Sequence, residues 1–116
     1  MHVVVFRKTP YGTSFTGEGI RVLSSLGAFE VECSVLFTDD GVFALVKNQN
    51  PEELEMKSLG KAFESLSGFV KEVLVSEESL KERRIQRGDL IDADLKLVNH
   101  EEIHDIITQC KCILTF

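Results

Sequence analysis

Leu36-Phe37-Thr38-Asp39-Asp40-Gly41-Val42-Phe43-Ala44-Leu45-Val46-Lys47-Asn48-Gln49-Asn50-Pro51 is the stretch on which the fold turns. It starts as the end of an apolar strand, turns on two carboxylates and a glycine, runs through a second apolar patch and stops at Asn50-Pro51. Open α/β sheets place their ligand or partner site at such strand ends. Asp39, Asp40, Gly41, Val42 and Phe43 are therefore the candidate partner or ligand loop. Val42, Phe43, Leu45 and Val46 crowd apolar surface beside the turn. A monomer avoids exposing such a patch, so a contact with another subunit is expected there. The alternative is a short helix that folds Phe43 back onto its own sheet.

Upstream, Val3-Val4-Val5-Phe6 is a continuous apolar run rich in β-branched residues. It fits a strand covered on both faces. Arg7 to Ser14 is a loop broken by Pro10 and Gly12. Ile20, Leu23 and Leu26 have helical spacing, with Gly27 as the stop. From Glu30 the period becomes two: Val31, Cys33, Val35 and Phe37 face one way, and Glu30, Glu32 and Ser34 the other. The polar start predicts a strand at or near a sheet edge.

Downstream, Asn50-Pro51-Glu52-Glu53 is a helix start, with a cap, a proline at the first turn and a carboxylate reaching back. Met56, Leu59, Phe63 and Leu66 form its buried face, and Gly68 ends it. A third strand is expected over Val70–Val75, then a short helix opened by Ser76-Glu77-Glu78. A fourth strand spans Leu95–Val98. Asn99 caps a helix with Ile103, Ile106 and Ile107 inward, and Cys112–Phe116 is the last strand. Alternating strands and helices imply an α/β fold: a three-layer α/β/α arrangement around a mostly parallel five-stranded sheet, joined by right-handed crossovers.

Composition narrows the function. The 116 residues form a single domain, 1–116, with one core. A net charge of −6 argues against a nucleic-acid face, which needs cations. No apolar run approaches the roughly 18 residues of a membrane span, and the start does not read as a signal peptide. Three cysteines, an odd number, fit a reducing cytoplasm better than a disulfide framework.

Each chemical motif has a plainer structural counterpart. His100-Glu101-Glu102-Ile103-His104 fits H-E-x-x-H, the helical zinc motif. Asn99 as cap, however, leaves His100 at the fraying end, and no third ligand follows, so no metal is expected. Gly17-Glu18-Gly19-Ile20-Arg21-Val22 starts like a dinucleotide fingerprint, but its third glycine is Val22 and it lies too far from the first strand. Cys33 alternates with Val31 and Val35 and is a core residue. Cys110 and Cys112 share one face at the start of the last strand, about 6.6 Å apart, a poor disulfide geometry. They are secondary thiol candidates. Ser76, between strand and helix, occupies a nucleophile's position but lacks a base, and is a cap. Lys81, Arg83, Arg84 and Arg87 are read as a solvated basic face, with contact to an acidic partner or RNA as the alternative.

Pro10-Tyr11-Gly12-Thr13 with Glu18-Gly19, Phe37 through Phe43 running to Gln49-Asn50-Pro51, Ser79 through Arg83, and terminal Ile113-Leu114-Thr115-Phe116 together resemble the DsrF/TusC family of DsrE-like proteins. The resemblance implies a cytoplasmic heterohexamer with DsrE/TusD-like and DsrH/TusB-like sister subunits. Such complexes relay sulfur as a persulfide, for 2-thiolation of the tRNA wobble uridine or for intracellular sulfur oxidation. No cofactor, no membrane and no direct nucleic-acid contact are expected. The carrier cysteine of the DsrE/TusD sister follows its third strand. Here that region is Val75-Ser76, which fits a structural, non-carrying subunit without independent enzymatic activity. The alternatives are a carrier using Cys110 or Cys112, and a standalone small-ligand domain using the Asp39-Asp40-Gly41 loop. A homo-oligomer is the expected alternative state of the isolated chain.

Overall fold

The computed structural model describes residues 2–9, 14–46, 70–91 and 94–116. The helix expected from Asn50, with Met56, Leu59, Phe63 and Leu66, lies outside these residues. So does the Pro10–Thr13 part of the first loop.

Five strands form one sheet: β1 (His2–Phe6), β2 (Cys33–Phe37), β3 (Val70–Ser76), β4 (Leu95–Val98) and β5 (Cys112–Thr115). Their order is β4-β3-β2-β1-β5, and every pairing is parallel. Helices α1 (Phe15–Ala28), α2 (Glu77–Glu82) and α3 (His100–Gln109) connect them, and a 3-10 turn spans Asp39–Leu45. This is the expected three-layer α/β/α arrangement.

The sheet divides the expected single core into two clusters, one on each face, and the topology explains why. From β1 to β4 the chain steps in one direction across the sheet, and then it returns to place β5 beside β1. Right-handed crossovers that reverse direction must pass over the opposite face. Leu23 of α1 accordingly packs with Val4, Phe6, Val35, Phe37 and Val75, whereas Ile103 and Ile106 of α3 pack with Val3, Val5, Leu36, Leu74 and Val98.

The expectation that β2 lies near an edge is corrected. It sits in the sheet interior between β1 and β3, and all five of its residues are buried. The polar residues that suggested an edge precede the strand. Glu30 has φ 60° and ends α1, and Glu32 lies in the connection. Ser34 is wholly buried. The end of α1 also moves from Gly27. The Val31 N–H donates to the Leu26 carbonyl and the Glu30 N–H to the Gly27 carbonyl, closing the helix with Glu30 in the left-handed position usually held by glycine. Val31 and Leu26 then pack on the same core.

Local signals elsewhere hold. Asn99 accepts from the Glu102 N–H at 2.9 Å, and Glu102 accepts from the Asn99 N–H at 3.2 Å, a reciprocal cap. Ser76 accepts from the Ser79 N–H at 3.2 Å.

Candidate functional site

Because every strand is parallel, all the carboxyl ends lie at one end of the sheet, where Arg7, Thr38, Asp39 and Ser76 emerge side by side. The Asp39–Leu45 turn is tied down there. A 3-10 helix has three residues per turn, so Val42 and Leu45 share one face and Phe43 and Val46 the next. Val42, Ala44 and Leu45 are completely buried, Val46 is half-buried, and Phe43 is 37% exposed. The expected outward patch of four residues is corrected accordingly: Val42 and Leu45 belong to the chain's own core.

Gly41 is required by this docking. A Cβ at Gly41 would overlap the Phe6 carbonyl oxygen and come within 2.5 Å of the Phe6 carbonyl carbon. The Thr38 N–H also donates to the Phe6 carbonyl, at 3.1 Å. The turn thus lies directly on the end of β1. On its far side, the Ile91 N–H donates to the Leu45 carbonyl at 2.8 Å, and Val46 forms a bridge with Leu90.

The polar side is a network centred on Ser79, a residue that enters the sequence reading only through the resemblance and is given no role there. Its hydroxyl accepts from the Asp39 N–H at 2.9 Å and lies 3.3 Å from the Thr38 hydroxyl. Asp39 has φ 51°, a left-handed conformation unfavourable for a residue with a side chain, and the Ser79 bond helps to hold it. Arg83 donates through Nε to Asp40 Oδ1 at 3.0 Å and through Nη1 to the Ser79 carbonyl at 3.2 Å. Arg83 is therefore a clamp with a side chain only 20% exposed, which corrects its place on a solvated basic face. Arg7 Nε donates to Asp39 Oδ2 at 3.2 Å across an open surface. A pair of adjacent aspartates requiring cations was the one sequence signal that could have pointed to Arg7 and Arg83. Both carboxylates face arginines, so the loop offers Phe43 outward beside largely compensated charge.

The other candidates are scattered. Gly17 and Gly19 lie within α1, and a Cβ at Gly19 would overlap the Phe6 ring. Gly19 serves close helix–sheet packing, and no phosphate loop exists at that point. Phe6 stacks on Phe37 with centroids 5.1 Å apart, and Phe116 lies against it at 6.1 Å. His100 opens α3, strongly exposed, with Nδ1 3.0 Å from Glu78 Oε2, and His104 is also exposed. Among the described residues no group of three or more His, Cys, Asp or Glu side chains is placed to hold a metal ion.

The thiols gather away from the loop, toward the amino ends of the strands. Cys33 and Cys112 both stand in register with His2, one on each side. Cys33 is buried, and burial, with a smaller contribution from Cys112, pushes its thiol pKa above 9.0. Cys110 ends α3 and packs on the α3-side core, its thiol 3.2 Å from the Ile107 carbonyl. The expectation that Cys110 and Cys112 share a face is corrected, because Cys112 is in the row of His2 and Cys33 on the α1 side. The chain reaches the strand only after Cys110. At the end of β3, Ser76 is buried and occupied as the α2 cap.

The parallel five-stranded sheet with helices on both faces defines an open-sheet α/β protein. The chain belongs to the DsrE/DsrF-like family, whose model matches residues 2–116. It is 32% identical to "Intracellular sulfur oxidation protein DsrF" of Allochromatium vinosum over 89% of this chain and 76% of that one. It is also 32% identical to "Protein TusC" of Buchnera aphidicola subsp. Baizongia pistaciae, over 97% of this chain and 95% of that one. The crystal structure of the ychN protein from E. coli has the same fold, with a TM-score of 0.84 at 21% identity over 99% of this chain and 97% of that one. Among the described residues no helix is long and apolar enough to cross a membrane.

Proposed function

We propose that residues 1–116 form one DsrF/TusC-type subunit of a cytoplasmic sulfur-relay complex. It is a structural subunit that does not itself carry the persulfide. Its partners are DsrE/TusD-like and DsrH/TusB-like sister subunits in a heterohexamer. The complex serves tRNA wobble uridine 2-thiolation or intracellular sulfur oxidation. Relatives named DsrF and TusC support the relay setting.

The observation that carries the non-carrying role is Ser76. Sulfur relay needs a thiolate that can be reached and stabilised. The last position of β3 holds a buried hydroxyl engaged as a helix cap. Of the thiols, Cys33 is buried and its thiolate is disfavoured, and Cys110 packs beneath α3. Cys112 is exposed, which sustains a second reading in which it takes sulfur itself.

The test is sulfur transfer by the complex reconstituted with Cys33, Cys110 and Cys112 all replaced by serine or alanine. The expected outcome is normal assembly and normal transfer. Assembly with transfer lost would overturn the non-carrying role, and restoring Cys112 alone would then identify the carrier. The Asp39–Phe43 loop is assigned to partner contact within this reading. Phe43 is the outward side chain, while Val42 and Gly41 hold the turn.

A further inference from the structure

The two edges of the sheet are built differently. At one edge, β4 carries Lys96 in its middle, exposed, as natural edge strands do to discourage further pairing. At the other edge, β5 reads Cys112-Ile113-Leu114-Thr115, with no charge, proline or bulge, and all four residues are exposed. Ile113 and Leu114 are each more than a third exposed, and so is Ile107 on α3, the helix that leads into this strand.

The backbone pattern shows what this edge offers. The Phe116 N–H donates to the Val5 carbonyl at 2.8 Å, and the Arg7 N–H donates to the Phe116 carbonyl at 2.7 Å. Phe116 therefore turns both its backbone groups toward β1. In a parallel ladder alternate residues do the same, so Leu114 also faces β1 while Ile113 and Thr115 direct N–H and C=O outward. Among the described residues, β5 pairs only with β1.

We propose that this edge is an interaction surface for a second copy of this chain, with the two β5 strands pairing antiparallel about a two-fold axis normal to the sheet. Such an axis keeps each face on its own side, so only registers that match like faces are allowed. Placing Leu114 against its own copy sets Ile113 opposite Thr115, and their outward N–H and C=O groups then close the ladder in both directions. Apolar side chains meet at the centre, the pairing that most stabilises a ladder. The one charged side chain within 110–116, Lys111, is carried to opposite ends of the ribbon. A parallel pairing would set the two lysines side by side. No acidic residue lies within 110–116, so a chain of net charge −6 meets its copy where that charge is absent. Isologous self-complementarity of this kind suits a two-fold dimer. The sheet would become ten-stranded, with exposed Ile107 of each α3 on the same side of the seam.

The experiment is sedimentation equilibrium of the purified chain at micromolar to high-micromolar concentrations, with two variants. The wild type is expected to show a concentration-dependent mass approaching twice that of the monomer. In Thr115→Pro the lost N–H points outward, so the internal ladder keeps its bonds. This variant is expected to retain the wild-type circular dichroism and to dimerise at least tenfold more weakly. Leu114→Lys, a charge at the two-fold axis, is expected to give monomer over the same range. A wild type that stays monomeric throughout would overturn the proposal. So would a folded Thr115→Pro chain that dimerises like wild type. The outcome does not depend on the thiol test of sulfur transfer.

Discussion

The carboxyl ends of the strands and their amino ends hold the two groups of residues with chemical potential, and they are built on opposite plans. At the carboxyl end, polar groups are fixed by one another: Ser79 holds Asp39, Arg83 joins Asp40 to the Ser79 carbonyl, and Gly41 lies on the end of β1. A backbone held in a left-handed conformation at Asp39 sits within that frame. Toward the amino end, Cys33, His2 and Cys112 share a row across the sheet, yet Cys33 is held by apolar packing and one weak contact to the Val31 carbonyl at 3.7 Å. The difference separates order from reactivity. The carboxyl end is preorganised by polar contacts, whereas at the amino end Cys33 fills a core and Cys112 stands exposed.

The largest effect that could break this comparison lies at Gly41. Gly41→Ala places a methyl into the Phe6 carbonyl, a backbone atom that cannot rotate away. Either the turn lifts off β1 or β1 shifts, and both disturb the buried Val42, Ala44 and Leu45. A loss of about 3 kcal/mol or more is expected, read as a lowered urea midpoint. A midpoint within experimental error of wild type would show that the turn is not seated as described, and the contrast between the two ends would fail with it.

The next effect concerns what the ordered end is for. Phe43→Asp removes a partly exposed ring from the outer side of the turn and leaves Val42 and Leu45 in place. If Phe43 contacts a sister subunit, the chain folds with a stability change under about 1 kcal/mol, while association weakens by about 2 kcal/mol, as for an interface anchor. Co-purification with the sister subunits and a thermal melt read the two quantities separately. Loss of the fold would place Phe43 in the chain's own core instead. Unchanged assembly with unchanged stability would remove Phe43 from both roles.

Much of this architecture was legible because local rules and the tertiary structure agree. Leu95–Val98 and the Asn99 cap appear where the sequence puts them, because a reciprocal cap is decided by residues three apart. Ser76 as a cap was legible for the same reason. The place of β2 was not. Glu30 and Glu32 extend its alternation on paper, but the helix end consumes Glu30, and burial of Ser34 is decided by which strands flank it. Nor could the split between Phe43 and its neighbours be seen. Four apolar residues in five positions look alike until the three-residue turn sorts them. Ser79 and Arg83 were hidden because their partners, Asp39 and Asp40, lie about 40 residues away in the chain.

The smallest effect sharpens the account of the amino end. The Cys33 thiol is held above its ordinary value of 9.0, first by burial and then by Cys112. The protonated form is thus favoured in the folded state. Below 9.0 both folded and unfolded chains keep the proton, and the contribution is fully present. As the pH rises past 9.0 the unfolded chain ionises first, so stability falls until the folded thiol ionises too. Cys33→Ala should remove this share of the alkaline decline. Its absolute stability falls through lost packing, but its slope against pH should become shallower than that of wild type. Cys112→Ser should flatten the slope less, since Cys112 is the lesser cause. Urea midpoints measured from neutral pH to the alkaline limit of folding give both slopes. Equal slopes for wild type and Cys33→Ala would mean that Cys33 ionises as freely folded as unfolded. A thiol of that kind is accessible to reagents, and Cys33 would then move from the core to the list of sulfur carriers.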